Sequence, residues 1–109
     1  MSFDKVFVQG RVAVITGSAM GIGFAAAYRC AEYGMKVIMA DISPDLHESV
    51  KKVEIIAKDT IIGTKVGVSN FNDVQKLADE VFTKFGEVAF LMNNAGIALG
   101  GEVGEKFDE

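Results

Sequence analysis

The chain has 109 residues, 50% of them hydrophobic and 24% charged, with a formal net charge of −4. That balance is too apolar for a disordered chain, and with arginine only at Arg11 and Arg29 it offers no basic groove for a nucleic-acid partner. No apolar run approaches the roughly 20 residues of a membrane span, and the stretch from Met1 to Lys5 lacks a signal-peptide pattern, so a single cytoplasmic domain over residues 1–109 with no membrane partner is expected.

In chain order, Val12 to Thr16 is apolar at almost every position and predicts a strand covered on both faces. It feeds Thr16-Gly17-Ser18-Ala19-Met20-Gly21-Ile22-Gly23, a glycine-rich turn that opens an alanine-rich helix from Gly21 to about Glu32, closed by Gly34. The lone Cys30 falls in that helix and reads as a small buried hydrophobe. Lys36 to Asp41 is a second buried strand ending in a carboxylate. Ser43 as cap, Pro44 at the first helical position and Asp45 in the first turn predict a helix over 44–58, with Leu46, Val50, Val53 and Ala57 as its apolar stripe. Residues 60–68 predict a third strand, weakened by two glycines. Asn70 caps a third helix whose core stripe is Val74, Leu77, Ala78, Val81, Phe82 and Phe85, and Gly86 ends it. A fourth strand, Glu87 to Met92, leads into Asn93-Asn94-Ala95-Gly96. Strands alternating with helices through short links imply a parallel sheet in a three-layer α/β/α fold, with expected strand order 3-2-1-4. The switch point between strands one and four then lies beside the glycine-rich turn, where open α/β sheets bind ligands.

The turn's chemistry follows from its glycines. Gly17 permits a sharp exit from the strand, Gly21 keeps a Cβ out of the way of a diphosphate, and Gly23 allows close packing of the helix. The helix directs its unpaired N–H groups at the anion. Asp41 lies 18 positions after Gly23, near the spacing of a ribose-binding acid. A carboxylate there accepts hydrogen bonds from both ribose hydroxyls and repels a phosphate on the 2′ oxygen; the plainer reading is an acid that caps the turn after strand two. No Cys/His cluster has metal-ligand spacing, and the single histidine, His47, falls on a charged surface helix, so no metal site is expected.

Thr16 to Gly23 matches the TGxxxGIG motif of the short-chain dehydrogenase/reductase family, and Asn93-Asn94-Ala95-Gly96 matches its NNAG motif at the usual separation. The resemblance covers about residues 8–105 and implies a Rossmann-like, NAD-binding domain of an oxidoreductase that moves a hydride between a nicotinamide and an alcohol or carbonyl substrate. It implies that Gly17, Ser18, Gly21, Ile22 and Gly23 line the pyrophosphate and adenosine ribose, that Asp41 binds that ribose, that Val68 neighbours the adenine, and that Asn94, Ala95 and Gly96 support the sheet beside the cofactor. Family members that use NADP often carry a basic residue where this chain has Met20 or Ile42, so NAD rather than NADP is expected. Two departures are Gly67, where the family commonly has an aspartate facing the adenine, and Ala89, where it has another before strand four.

The family's catalytic serine, Tyr-x-x-x-Lys pair and asparagine find no counterpart. Tyr28 is followed at the lysine spacing by Glu32, and Tyr33 by Val37. No catalytic residue is therefore assigned, and the resemblance implies the N-terminal, cofactor-binding half of the family fold, truncated before its catalytic segment and inactive alone. The fourth strand is then expected as an apolar edge open to oligomer or partner pairing. The alternative reading is a non-catalytic nucleotide-binding or partner-pairing module. A Rossmann-like enzyme using S-adenosylmethionine fits the paired motifs less well.

Overall fold

The structure, a computed structural model, describes residues 6–68 and 70–94. Its elements are β1 (Val12–Thr16), α1 (Gly21–Glu32), β2 (Lys36–Asp41), α2 (Leu46–Ile56), β3 (Ile61–Lys65), α3 (Phe71–Phe85) and β4 (Phe90–Asn93). The four strands are parallel and ordered β3-β2-β1-β4, as expected. Alternation along the two central strands divides the core. Ala13 and Ile15 of β1 with Val37 and Met39 of β2 face α1 and α2, whereas Val12, Val14, Ile38 and Ala40 face α3. All five residues of β1 are buried, so a side chain such as Ile15, fully inaccessible to solvent, contributes roughly 1.5–3 kcal/mol of apolar burial. Cys30 is buried in the α1 side of this core, and burial pushes its thiol up to about 11, in keeping with a packing role.

Local signals place α3 well. The Asn70 side chain accepts the Asp73 N–H at 2.9 Å, and the helix ends against Gly86. Its stripe is narrower than the pattern suggests. Val74, Leu77 and Val81 are buried and Ala78 and Phe85 half-buried, but Phe82 is 58% exposed. A residue adjacent to Val81 is turned about 100° round the helix, so a stripe seated on Val81 leaves Phe82 off the contact.

Several boundaries differ from expectation. α2 starts at Leu46 rather than Pro44, because the Ser43 hydroxyl accepts the Asp45 N–H at 3.0 Å and closes a turn ahead of the helix. The same helix ends at Ile56, with Ala57 already extended and half-buried. β3 stops at Lys65, since β2 ends at Asp41 and the Val66 N–H makes the following bond to the Asp41 carbonyl at 3.2 Å. β4 begins at Phe90 rather than Glu87. The Glu87 carboxylate instead accepts from the Arg11 Nε at 3.1 Å and from the Val12 N–H at 3.2 Å, which ties the approach to β4 to the entry of β1.

Between β2 and β3, Asp59 accepts the Thr60 N–H at 2.7 Å, and Lys36 Nζ lies 3.2 Å from its other oxygen. The backbone donor first, and the lysine after it, hold the Asp59 carboxyl below its ordinary value. A depressed folded-state pKa means stabilisation that is complete above the unfolded carboxylate value of about 3.9 and is lost as pH falls through the folded value. Melting temperature followed from pH 6 down to pH 2 should therefore drop less steeply in Asp59→Asn than in the unmodified chain. Equal slopes would remove Asp59 from the acid response.

Candidate functional site

β1 delivers the chain into the glycine-rich turn through Thr16, which is fully buried. Its hydroxyl donates to Asn93 Oδ1 at 2.8 Å and accepts the Asn94 N–H at 3.0 Å. The Asn94 side-chain amide donates in turn to the Gly17 carbonyl at 3.2 Å. The end of β4 and the start of the turn are thus one hydrogen-bonded unit at the switch point of the sheet.

Helix α1 comes unusually close to this turn. A Cβ on Gly23 would stand 2.0 Å from the Gly17 carbonyl oxygen and 2.9 Å from Asn94 Nδ2, so only glycine fits. Gly21 is different: a Cβ there would meet nothing within 4 Å, but its φ of +62° is a conformation that other residues rarely adopt. Met20 is the N-cap residue and no side chain caps the helix, which also has no acid in its first turn. The first helical bond runs from the Phe24 N–H to the Met20 carbonyl, leaving the amides of Gly21, Ile22 and Gly23 without intrahelical acceptors. That donor set, with the positive end of the helix behind it, suits a diphosphate.

On the β2 side, Ser18 donates its hydroxyl to the Ala40 carbonyl at 3.3 Å. Asp41 is half-buried; its Oδ2 accepts the Ala19 N–H at 2.9 Å and its Oδ1 the Ser43 N–H at 3.0 Å. Asp41 thus caps the turn after β2, the plainer of its two readings, and also reaches across to the glycine-rich loop. A carboxylate offers about four acceptor positions, so these two bonds leave capacity for a diol.

Apolar side chains frame the cleft. Met20 is 61% exposed, Ile22 71% and Ile42 67%, so three of the six exposed large hydrophobic side chains among the described residues flank this loop. A Cβ on Gly67 would lie 3.3 Å from Ile42 Cδ1, so the missing side chain there leaves room for Ile42. Val68 is 8% exposed and belongs to the α3-side core. Ala95 and Gly96 lie outside the described residues. A groove of about 810 Å³ runs instead along the outer face of α1 past Ile22, Phe24 and Tyr28. Its lining is mostly apolar, with Arg29 and Glu32 paired to each other, and it lacks the converging backbone donors of the loop, so the chemistry of the donors rather than cavity size locates the site.

Residues with acid/base capacity stand elsewhere. Tyr28 packs on Phe24 with ring centroids 6.1 Å apart, Tyr33 packs on Phe7 at 5.9 Å, and His47 is exposed on α2. Among the described residues, no group of three His, Cys, Asp or Glu side chains could hold a metal ion, and no helix is long and apolar enough to cross a membrane. Sequence reasoning passed over Thr16 as a hub and Ser49 altogether. Ser49 is buried on α2 and donates its hydroxyl to the Ala19 carbonyl. Its signal was a polar residue three positions after Leu46, on the apolar stripe.

The sequence model of the family described as short chain dehydrogenase matches residues 11–109. Short chain aldehyde dehydrogenase 1 of Euphorbia lathyris is 36% identical over 93 residues, covering 85% of this chain and 32% of the relative. The chain spans about a third of the length of the curated relatives it matches. Among solved structures, a short chain dehydrogenase/reductase from Burkholderia phymatum in complex with NAD is 40% identical with a TM-score of 0.65, over 76% of this chain and 30% of that one. L-sorbose reductase from Gluconobacter frateurii, complexed with NADPH and L-sorbose, is 30% identical with a TM-score of 0.71, over 92% of this chain and 40% of that one. With its Rossmann-like parallel sheet and its hydrogen-bonded glycine-rich turn, the chain belongs to the short-chain dehydrogenase/reductase family.

Proposed function

We propose that this chain is the cofactor-binding part of an oxidoreductase that moves a hydride between a nicotinamide dinucleotide, NAD rather than NADP, and an alcohol or carbonyl substrate. The observation that carries the reading is the Asp41 carboxylate, joined to the loop through the Ala19 N–H beside an uncapped helix N-terminus. The amides of Gly21, Ile22 and Gly23 would hold the diphosphate, and Asp41 the adenosine ribose. Gly17 and Ser18 shape the turn, and Met20 and Ile42 cover the apolar flanks. Asn94 braces Gly17, and Val68, Ala95 and Gly96 complete the cofactor-side set in this reading. The bound dinucleotide supplies the hydride donor or acceptor.

Proton transfer to the substrate oxygen needs a separate acid/base group, and the 109 residues contain no Tyr-x-x-x-Lys pair to provide one. These residues by themselves therefore bind cofactor without turning it over in this proposal. The partner-pairing alternative draws only on the edge position of β4, whereas the loop, Asp41 and the family match all support the cofactor reading. Titration calorimetry of the full chain with NAD and with NADP tests it. NAD should bind at least about tenfold more tightly, a factor equivalent to about 1.4 kcal/mol. Tighter NADP binding would overturn the cofactor assignment, and the absence of binding by either would overturn the functional reading.

A further inference from the structure

Ala19 is gripped at both ends of its own backbone. Its N–H donates to Asp41 Oδ2, and its carbonyl accepts from the Ser49 hydroxyl on α2, 30 residues further along the chain. Ser49 is 6% exposed and Ala19 5%, so the bond between the Ser49 hydroxyl and the Ala19 carbonyl is shielded from water. Among the described residues no buried side-chain nitrogen or oxygen lacks a partner, and the Ser49 hydroxyl finds its own on the loop rather than on α2. A serine among Leu46, Val50 and Val53 on the buried side of that helix is therefore spent on holding the loop.

The geometry of the peptide unit gives that bond a consequence. In a planar trans peptide the carbonyl and the following N–H point in opposite directions. Directing the Ala19 carbonyl at α2 thus directs the Met20 N–H away from α2. Met20 is extended, with φ −156° and ψ 171°, and it precedes the unpaired amides of the first turn of α1. A flip of the Ala19–Met20 peptide would reverse both groups. It would turn a carbonyl oxygen away from α2, toward the side the Met20 amide now faces, and put partial negative charge where an anion is to be held. Glycines with positive φ at 17 and 21 bracket the segment, so the backbone beside it can absorb such a flip unless something prevents it.

We propose that Ser49 is a positioning residue for the dinucleotide site, fixing the Ala19–Met20 peptide in the orientation that turns the loop's amides toward the diphosphate. The assignment of the ligand rests on the functional reading above; the clamp itself rests on the hydrogen bonds alone. In the full chain, Ser49→Ala should weaken ADP-ribose about tenfold, the scale of one lost buried hydrogen bond, while adenosine, which has no phosphate, changes by less than about twofold. Ser49→Thr, which keeps the hydroxyl, should recover most of the ADP-ribose affinity. Without any ligand, the NMR resonance of the Ala19 carbonyl carbon should shift in Ser49→Ala as its hydrogen bond is lost, with that of the Ile15 carbonyl in β1 unchanged. Equal weakening of adenosine and ADP-ribose, or unchanged affinity for both, overturns the positioning role. An unchanged Ala19 carbonyl resonance overturns the clamp. Failure of the unmodified chain to bind ADP-ribose overturns the dinucleotide reading instead, and the carbonyl resonance tells the two apart.

Discussion

Replacing Gly23 with alanine should lower stability by about 3 kcal/mol or more and abolish dinucleotide binding, because the added methyl has no space that a rotamer change could open. The atoms it would strike are backbone: the Gly17 carbonyl oxygen at 2.0 Å and its carbon at 2.8 Å. Relief requires α1 to move off the turn, and α1 carries Ala27, Cys30 and Ala31 of the core with it. Moving the helix also breaks the Asn94 amide bond to the Gly17 carbonyl, which joins β4 to the loop. For a chain of this size the loss corresponds to a fall in melting temperature on the order of 15 °C. Gly21→Ala is the informative comparison, since there the space is open and only the φ of +62° is at fault. It should cost about 1–2 kcal/mol, the usual penalty for a left-handed residue bearing a Cβ. Thermal melts of the two variants should rank Gly23→Ala well below Gly21→Ala. If Gly23→Ala melts within a degree or two of the unmodified chain, the close approach of α1 to Gly17 is not a feature of the folded protein.

What could be read from the sequence was what neighbours in the chain decide. The nearly continuous apolar run of β1, the Asn70 cap three residues before Asp73 and the glycine that ends α3 are local signals, and each element formed where they put it. Strand order followed from the alternation of strands and helices, because parallel strands with short links leave few arrangements. The misplaced start of β4 and the misread Phe82 came from contacts between distant residues. Glu87 is drawn out of β4 by Arg11 and Val12, 76 and 75 residues away, and nothing beside Glu87 in the chain announces it. Phe82 is as apolar as Val81, and only the seating of α3 on the sheet decides which of the two is buried. At the site, the sharp turn at Gly17, the close approach at Gly23 and the turn-capping bond of Asp41 were legible because they depend on backbone shape and spacing. The clamp from Ser49 to Ala19 was not, since its two ends belong to segments brought together by the packing of α2 beside α1.

With Asp41 on the adenosine ribose, as proposed, Asp41→Asn should erase most of the discrimination between NAD and NADP, and charge sets the size of the effect. Two like unit charges about 4 Å apart at an effective dielectric near 20 repel by about 4 kcal/mol, so a 2′-phosphate beside an ionised Asp41 is strongly disfavoured even after screening. Asparagine removes that repulsion and keeps nearly the same shape. It also removes an anionic acceptor, and hydrogen bonds to charged groups contribute about 1.5–3 kcal/mol, so NAD affinity itself should fall by about tenfold or more. The two changes act on opposite sides of the ratio: NAD weakens while NADP strengthens or holds. The fold is affected less, because an amide oxygen still accepts one of the two N–H groups, of Ala19 or Ser43, that the carboxylate serves. Its NH₂ then faces the other, which should cost on the order of 1 kcal/mol of stability and loosen the loop. Salt separates the electrostatic part from this loosening: in the unmodified chain the preference for NAD should narrow as ionic strength rises, and in Asp41→Asn it should be nearly independent of salt. A preference for NAD that survives the substitution unchanged would mean that the discriminating charge is not Asp41. Loss of both cofactors together, with a ratio that salt does not alter in either protein, would reduce Asp41 to the cap of the turn after β2.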